Sequence, residues 1–264
     1  MNKLYLMGIL NVTPDSFFDG GKYLSIENIE KRIDHMLENN VDIIDVGAES
    51  TRPGADRISA EEEIKRLTPA LKILKKRKAF FSIDTMNPKT ASFALEMGAS
   101  MINDVSGFSD PEMIELSVQA QCQVCVMHMQ KNPKSMQERP YYSNGIMAAL
   151  IDFFSQKTEQ LTNSGIKQSN IIIDPGIGFG KTVQHNLDIF KNLSELRQFG
   201  CKILIGASRK SFMRKIIGKN TQELLPATLV MNTIALLGGA DVIRVHDVPE
   251  HLDLINLVSR YNSG

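Results

Sequence analysis

The chain has 264 residues, 42% of them hydrophobic and 23% charged, with 30 basic side chains against 30 acidic ones. That length suits one closed α/β barrel of roughly 250 residues. The balanced charge excludes the long-range field with which a protein gathers nucleic acid or an anionic membrane surface, so any anion binding must be local.

Residues 4–12 are the first short β-rich apolar run. They carry no cationic leader and are too short to span a bilayer, and three cysteines in so long a chain make no disulfide framework, so a reducing cytoplasm is expected. Further apolar runs follow at 42–47, 80–83, 101–105, 123–127, 171–174, 202–206 and 241–245. Between and after them, helical periodicity predicts helices at 25–39, 59–76, 88–97, 111–120, 146–164, 184–198, 226–238 and 249–260. Ser59 ahead of Glu62 and Glu63, and the pairs Asn87-Pro88 and Asp110-Pro111, mark helix starts. A doubly wound open sheet has a similar alternation, so period alone leaves that alternative standing. Eight strands and eight helices favour a (β/α)8 TIM barrel, with residues 1–264 as a single domain.

Two strand-to-helix connections, 13–24 and 48–58, are unusually long, and a barrel builds its site from such loops. Each apolar run ends in polar residues: Asn11, Glu49 with Thr51 and Arg52, Asp84, Asn103 with Asp104, His128, Asp174, residues 208–211, and Arg244 with His246. In a parallel barrel these ends converge on one mouth. Taken singly each has a structural reading: Asp84 could cap the helix near Pro88, and Asn103 and Asp104 could order a turn. Taken together, eight convergent polar sets indicate a shared site, because buried polar groups are costly unless satisfied.

Arg52, Lys210, Arg244 and His246 suit a ligand carrying phosphate. Asp84, Asn103 and Asp174 offer planar acceptors and Asn103 adds an amide donor, a set that matches the alternating donors and acceptors on the edge of a fused pyrimidine. Residues 174–181 are glycine-rich but lack the spacing of a P-loop, so a tight turn allowing close backbone approach to a ligand is expected there. The five histidines have no zinc-site spacing, and Cys122 and Cys125 read as buried strand thiols. A magnesium ion arriving with a diphosphate would need little more than the Asn11 amide.

These motifs resemble one family across almost the whole chain: dihydropteroate synthase, a pterin-binding enzyme of folate biosynthesis. Its markers stand here as MGILNVTPDSFFDGG (7–21), ESTRPGA (49–55), SIDT (82–85), INDVSG (102–107), MHMQ (127–130), DPGIGFGKT (174–182), SRKSF (208–212) and RVHDV (244–248). The resemblance implies a transferase that joins 6-hydroxymethyl-7,8-dihydropterin diphosphate to p-aminobenzoate, releasing diphosphate, and that is a sulfonamide target. It implies catalytic roles for Asp84, Lys210, Arg244 and His246, and a pterin site of Asp84, Asn103, Met127, Asp174, Phe179, Lys210 and Arg244. Asn11, Thr51, Arg52, Arg244 and His246 would hold the diphosphate, with Asn11 on its Mg2+. Phe17, Pro53, Phe179 and Ser211 would form the p-aminobenzoate slot, and Asp15, Asp19 and Arg52 would belong to segments closing over the site. The family is usually homodimeric through late helices. Corrinoid methyltransferases on a similar barrel share the Asp and Asn contacts but lack the SRK and ESTRPG sets. Phe18, where serine is usual, and Ala48, where glycine is frequent, depart from the pattern without touching the pterin set.

Overall fold

The computed structural model describes residues 3–13, 25–49, 57–131 and 135–263. Eight parallel strands close into a barrel in sequence order: β1 (Tyr5–Asn11), β2 (Ile43–Gly47), β3 (Phe81–Asp84), β4 (Met101–Asp104), β5 (Gln123–Met127), β6 (Ile171–Asp174), β7 (Lys202–Ile205) and β8 (Val242–Val245). The last strand returns to the first, with Tyr5 opposite Val242 and Gly8 opposite Val245. The barrel expected from the sequence is thus the one observed, and the open sheet is excluded by that closure.

Around it run α1 (Ile26–Glu38), α2 (Ala60–Arg77), α3 (Pro88–Glu96), α4 (Pro111–Ala120), α5 (Ile146–Asn163), α6 (Val183–Lys191), α7 (Ser211–Ile217), α8 (Leu225–Leu237) and α9 (Val248–Ser263). The caps sit where the sequence placed them. Ser59 Oγ accepts from Glu62 N, the Asn87 side chain from Lys89 N, and Asp110 from Glu112 N. Two expectations are corrected. The helix expected at 184–198 stops at Lys191, because the Asn192 side chain donates to the Asp188 carbonyl. The chain continues as a 3-10 segment, Leu193–Phe199, that buries Leu193 and Leu196. In addition, α7 was not foreseen: it has seven residues, no side-chain cap, and ends at Gly218.

Strand side chains alternate between two cores, as a period of two requires. Outward residues such as Leu6, Ile44, Val46, Ile83, Val124, Ile173, Ile205 and Val245 pack in the layer that includes the helices. Inward, Met7, Ile43, Met101, Cys125, Ile172, Leu204 and Val242 form a separate apolar plug inside the barrel. One step of two residues further along the same inward face stand Ile9, Asp45, Asn103, Met127, Asp174, Gly206 and Arg244. The interior therefore changes from apolar floor to polar chamber within a single residue repeat.

Candidate active site

The chamber is organised by Arg244. Its Nε donates to Asp45 Oδ2 and its Nη2 to Asp84 Oδ2, both at 2.6 Å, and Asn103 Nδ2 donates to the same Asp45 oxygen at 3.1 Å. Strands β2, β3, β4 and β8 thus meet in one ion and hydrogen-bond network. Burial acts against the Arg244 charge, but Asp45 and Asp84 outweigh it and raise its pKa further, so the guanidinium stays charged. Burial pushes Asp84 up to about 7; Arg244 opposes that shift and Asp45 adds to it. Asp84 does not cap α3. That role falls to Asn87, while Thr85 Oγ1 accepts from Asn87 N.

Neighbouring residues at the turn after β4 divide the roles that the sequence left joined. Asp104 accepts from Ser106 N, Ser106 Oγ and Phe108 N, so it builds the turn. Asn103, one residue earlier and on the opposite face, points into the chamber.

Across the mouth, Asp174 is buried and accepts from Gly176 N at 2.7 Å. Its pKa is raised by burial, against the pull of that bond and of Lys210. The Lys210 ammonium lies 4.1 Å from the centre of the Phe179 ring, a cation–π contact. Burial and then Arg244 bring Lys210 down to about 8, against the pull of Asp174 and Asp84. Met127 is buried beside Asp174 in the strand register.

The glycine-rich segment comes close to protein rather than to open space. A Cβ on Gly176, at φ +68°, would lie 2.0 Å from the His128 carbonyl oxygen, so only glycine lets this turn cross the end of β5. The crossing is fastened by Lys181, which donates to His128 Nδ1, His128 O and Phe179 O at 3.0, 3.2 and 3.0 Å. His128 belongs to this clamp: burial, and then Lys181, lower its pKa to about 2.

The third part lies after β7 and β8. Ser208 Oγ accepts from His246 N and sits 2.9 Å from His246 Nδ1, so the hydroxyl holds the ring in place. Burial, then Arg244 and Arg209, lower the His246 pKa to about 3, so the imidazole is neutral. Arg209 turns away and makes a two-point ion pair with Asp247 at 3.1 and 2.5 Å. It holds a left-handed φ of 56°, with its N–H donating to Thr228 Oγ1. Arg32 donates to the His246 carbonyl at 2.6 Å. Asn11 ends β1 opposite Gly47, and Ser211 opens α7 next to Lys210.

Of the residues expected from the sequence, Asp84, Asn103, Met127, Asp174, Phe179, Lys210, Arg244, His246, Asn11 and Ser211 therefore all lie at the strand C-terminal ends or just beyond them. Glu49 instead pairs with Arg57 at 3.6 Å. Asp15, Phe17, Asp19, Thr51, Arg52 and Pro53 lie outside the described residues. Sequence reasoning missed Asp45, Lys181 and the Arg209–Asp247 brace. The available signal for Asp45 was a lone charge at an inward position of an apolar strand.

A barrel whose mouth carries buried planar acceptors beside an Arg–Lys pair defines a class of small-molecule enzyme, and the comparisons place it. The family described as "Pterin binding enzyme" matches residues 7–246, and the chain belongs to it. Within that family it belongs with the dihydropteroate synthases, which are transferases. It is 39% identical over 255 residues to the dihydropteroate synthase of Escherichia coli (strain K12), covering 96% of this chain and 90% of that protein. The Yersinia pestis dihydropteroate synthase, solved as a sulfonamide drug complex, superposes with a TM-score of 0.94 at 36% identity, over 99% of this chain and 95% of that one. The Xanthomonas albilineans dihydropteroate synthase, solved with 4-aminobenzoic acid, gives 0.91 at 30% identity, over 99% and 94%.

Proposed function

We propose that this mouth joins p-aminobenzoate to 6-hydroxymethyl-7,8-dihydropterin diphosphate, forming 7,8-dihydropteroate and diphosphate. The observation that carries the reading is the placement of Asp84, Asn103 and Asp174 on three strand ends around Arg244 and Lys210, with Asp84 and Asn103 taking no part in caps or turns. Acceptors suit the amino and ring N–H groups of a pterin edge, and Phe179 beneath the Lys210 ammonium offers an aromatic wall. The arylamine of p-aminobenzoate is a modest nucleophile, so the leaving group must be activated. Breaking the C–O bond first would leave positive charge on the pterin, which Asp84 would offset. The neutral His246 and Arg244 would receive the departing diphosphate.

Magnesium would enter on the diphosphate and neutralise part of its charge. The donor set fits such a guest better than a resident ion. Among the described residues no group of three His, Cys, Asp or Glu gathers to hold a metal, while Asn11 supplies a neutral amide at the rim. Thr51 and Arg52 would join Asn11 on the diphosphate. Phe17, Pro53, Phe179 and Ser211 would border p-aminobenzoate, with Asp15, Asp19 and Arg52 in the closing segments.

A homodimer is part of the same reading. Val230, Ile234 and Leu237 on α8 and Leu257 and Tyr261 on α9 are exposed apolar residues at helical spacing on two helices that pack together, a surface suited to a second copy. Among the described residues no helix is long and apolar enough to cross a membrane, and the three cysteines are free and buried, which fits a cytoplasmic enzyme.

The test is direct. Purified protein with the pterin diphosphate, magnesium and p-aminobenzoate should release diphosphate and form dihydropteroate in equal amounts. Pterin binding without turnover would overturn the reading.

A further inference from the structure

We propose that Asp45 is a positioning residue of the pterin chamber: from below, its carboxylate fixes both the Arg244 guanidinium and the Asn103 amide, so that Asn103 presents its carbonyl oxygen to the ligand. This rests on the pterin reading and adds to it a determinant of which ligand edge is accepted.

Three observations carry it. Asp45 has no solvent exposure and sits on the inward face of β2, directly above Ile43 of the apolar plug. An apolar side chain there would simply extend the plug, so a charge at this depth answers to its partners rather than to packing. Its Oδ2 then serves two strands at once, taking Arg244 Nε at 2.6 Å from β8 and Asn103 Nδ2 at 3.1 Å from β4. Finally, Asp45 Oδ1 has no partner among the described residues, so the carboxylate is not there to satisfy a neighbouring loop.

The chemical consequence concerns polarity. An amide is ambiguous, since it can be turned to give or to accept. A carboxylate on its nitrogen side removes the ambiguity and leaves Oδ1 of Asn103 toward the chamber. With the Asp84 and Asp174 carboxylates, the chamber then shows three acceptors, which select a ligand edge rich in N–H donors, such as the 2-amino and ring N–H face of a pterin. Asp45 also holds Arg244 at the one place where it can serve Asp84 as well.

The test compares Asp45→Leu, close in shape but without polar atoms, with Asp45→Asn, which keeps an oxygen for Arg244 and Asn103 and loses the charge. Binding of 6-hydroxymethylpterin is titrated, and steady-state constants are measured for both substrates. For Asp45→Leu we expect pterin affinity and kcat/KM for the pterin diphosphate to fall about tenfold or more. Its KM for p-aminobenzoate should stay near that of the parent, while its melting temperature falls, because Arg244 Nε and Asn103 Nδ2 lose a buried acceptor. For Asp45→Asn, pterin affinity should stay within about threefold, and the acidic limb of the pH profile should move to lower pH. That limb belongs to Asp84, which faces Arg244 from β8, Asp45 from β2, Glu63 from α2, Asp104 from β4 and Lys210 after β7. Unchanged pterin binding in Asp45→Leu overturns the proposal. So does an equal loss for both substrates, which marks a merely structural residue. If the parent itself binds no 6-hydroxymethylpterin, the pterin reading fails instead, and the two failures are told apart.

Discussion

The ammonium of Lys181 lies 3.0 Å from Nδ1 of His128, and both side chains are buried. Three acceptors surround it: that nitrogen and the carbonyls of His128 and Phe179. The bond crosses from the end of β5 to the loop after β6 and so fixes Phe179 from behind. Lys181→Met would leave two carbonyls and an imidazole without their donor. We expect a loss of about 3 kcal/mol in denaturant unfolding and weaker pterin binding. A variant as stable as the parent would remove the clamp from this account.

Gly176 tests the same crossing from the other side. Alanine there would put its Cβ 2.0 Å from the His128 carbonyl oxygen, at a φ that alanine rarely adopts. Gly176→Ala should destabilise the fold by roughly 3 kcal/mol or more and yield little soluble protein. Gly98, also at positive φ but with nothing near its missing Cβ, provides the control: Gly98→Ala should carry only the smaller backbone cost. Thermal unfolding of the pair separates steric crowding from backbone strain.

The pH dependence of kcat/KM for the pterin diphosphate should be bell-shaped. Asp84, held up to about 7 by burial, must be ionised to face a cationic ring, so the rate should rise as pH passes through that value. Lys210, brought down to about 8 by burial and Arg244, must stay protonated, so the rate should fall beyond it. Lys210→Arg should push the alkaline limb to higher pH, because a guanidinium keeps its proton. An alkaline limb that does not move in this variant would assign it to another group.

Arg209 offers a case where charge is conserved and geometry is not. Its two-point pair with Asp247 holds a left-handed residue between Ser208 and Lys210. Lysine cannot make that pair, so Arg209→Lys should lower kcat/KM by roughly tenfold, since both flanking side chains shift. The stability loss should stay near 1–2 kcal/mol, as the pair is only partly buried. If activity is retained while stability falls, the brace serves the fold alone.

The strands were legible because each is a short apolar run closed by a polar residue, and that punctuation placed Asp84, Asn103, Asp174 and Arg244 at the mouth. Asp45 was not legible. It is a lone charge inside the run Ile43-Ile44-Asp45-Val46 rather than at its end, and its meaning depends on Arg244, 199 residues away. Asn103 and Asp104 are chemically similar neighbours whose roles diverge only because successive strand residues face opposite ways. The short α7 was not legible because seven residues without a side-chain cap leave too little period to read.

The plug of Met7, Ile43, Met101, Cys125, Ile172, Leu204 and Val242 gives the chamber a closed bottom. Traffic through the barrel is therefore a cul-de-sac: whatever settles at the depth of Asn103 must leave by the route it entered. A second molecule lodged at the rim blocks that route, so the deeper guest has to be first in, and it leaves joined to the rim molecule as one product.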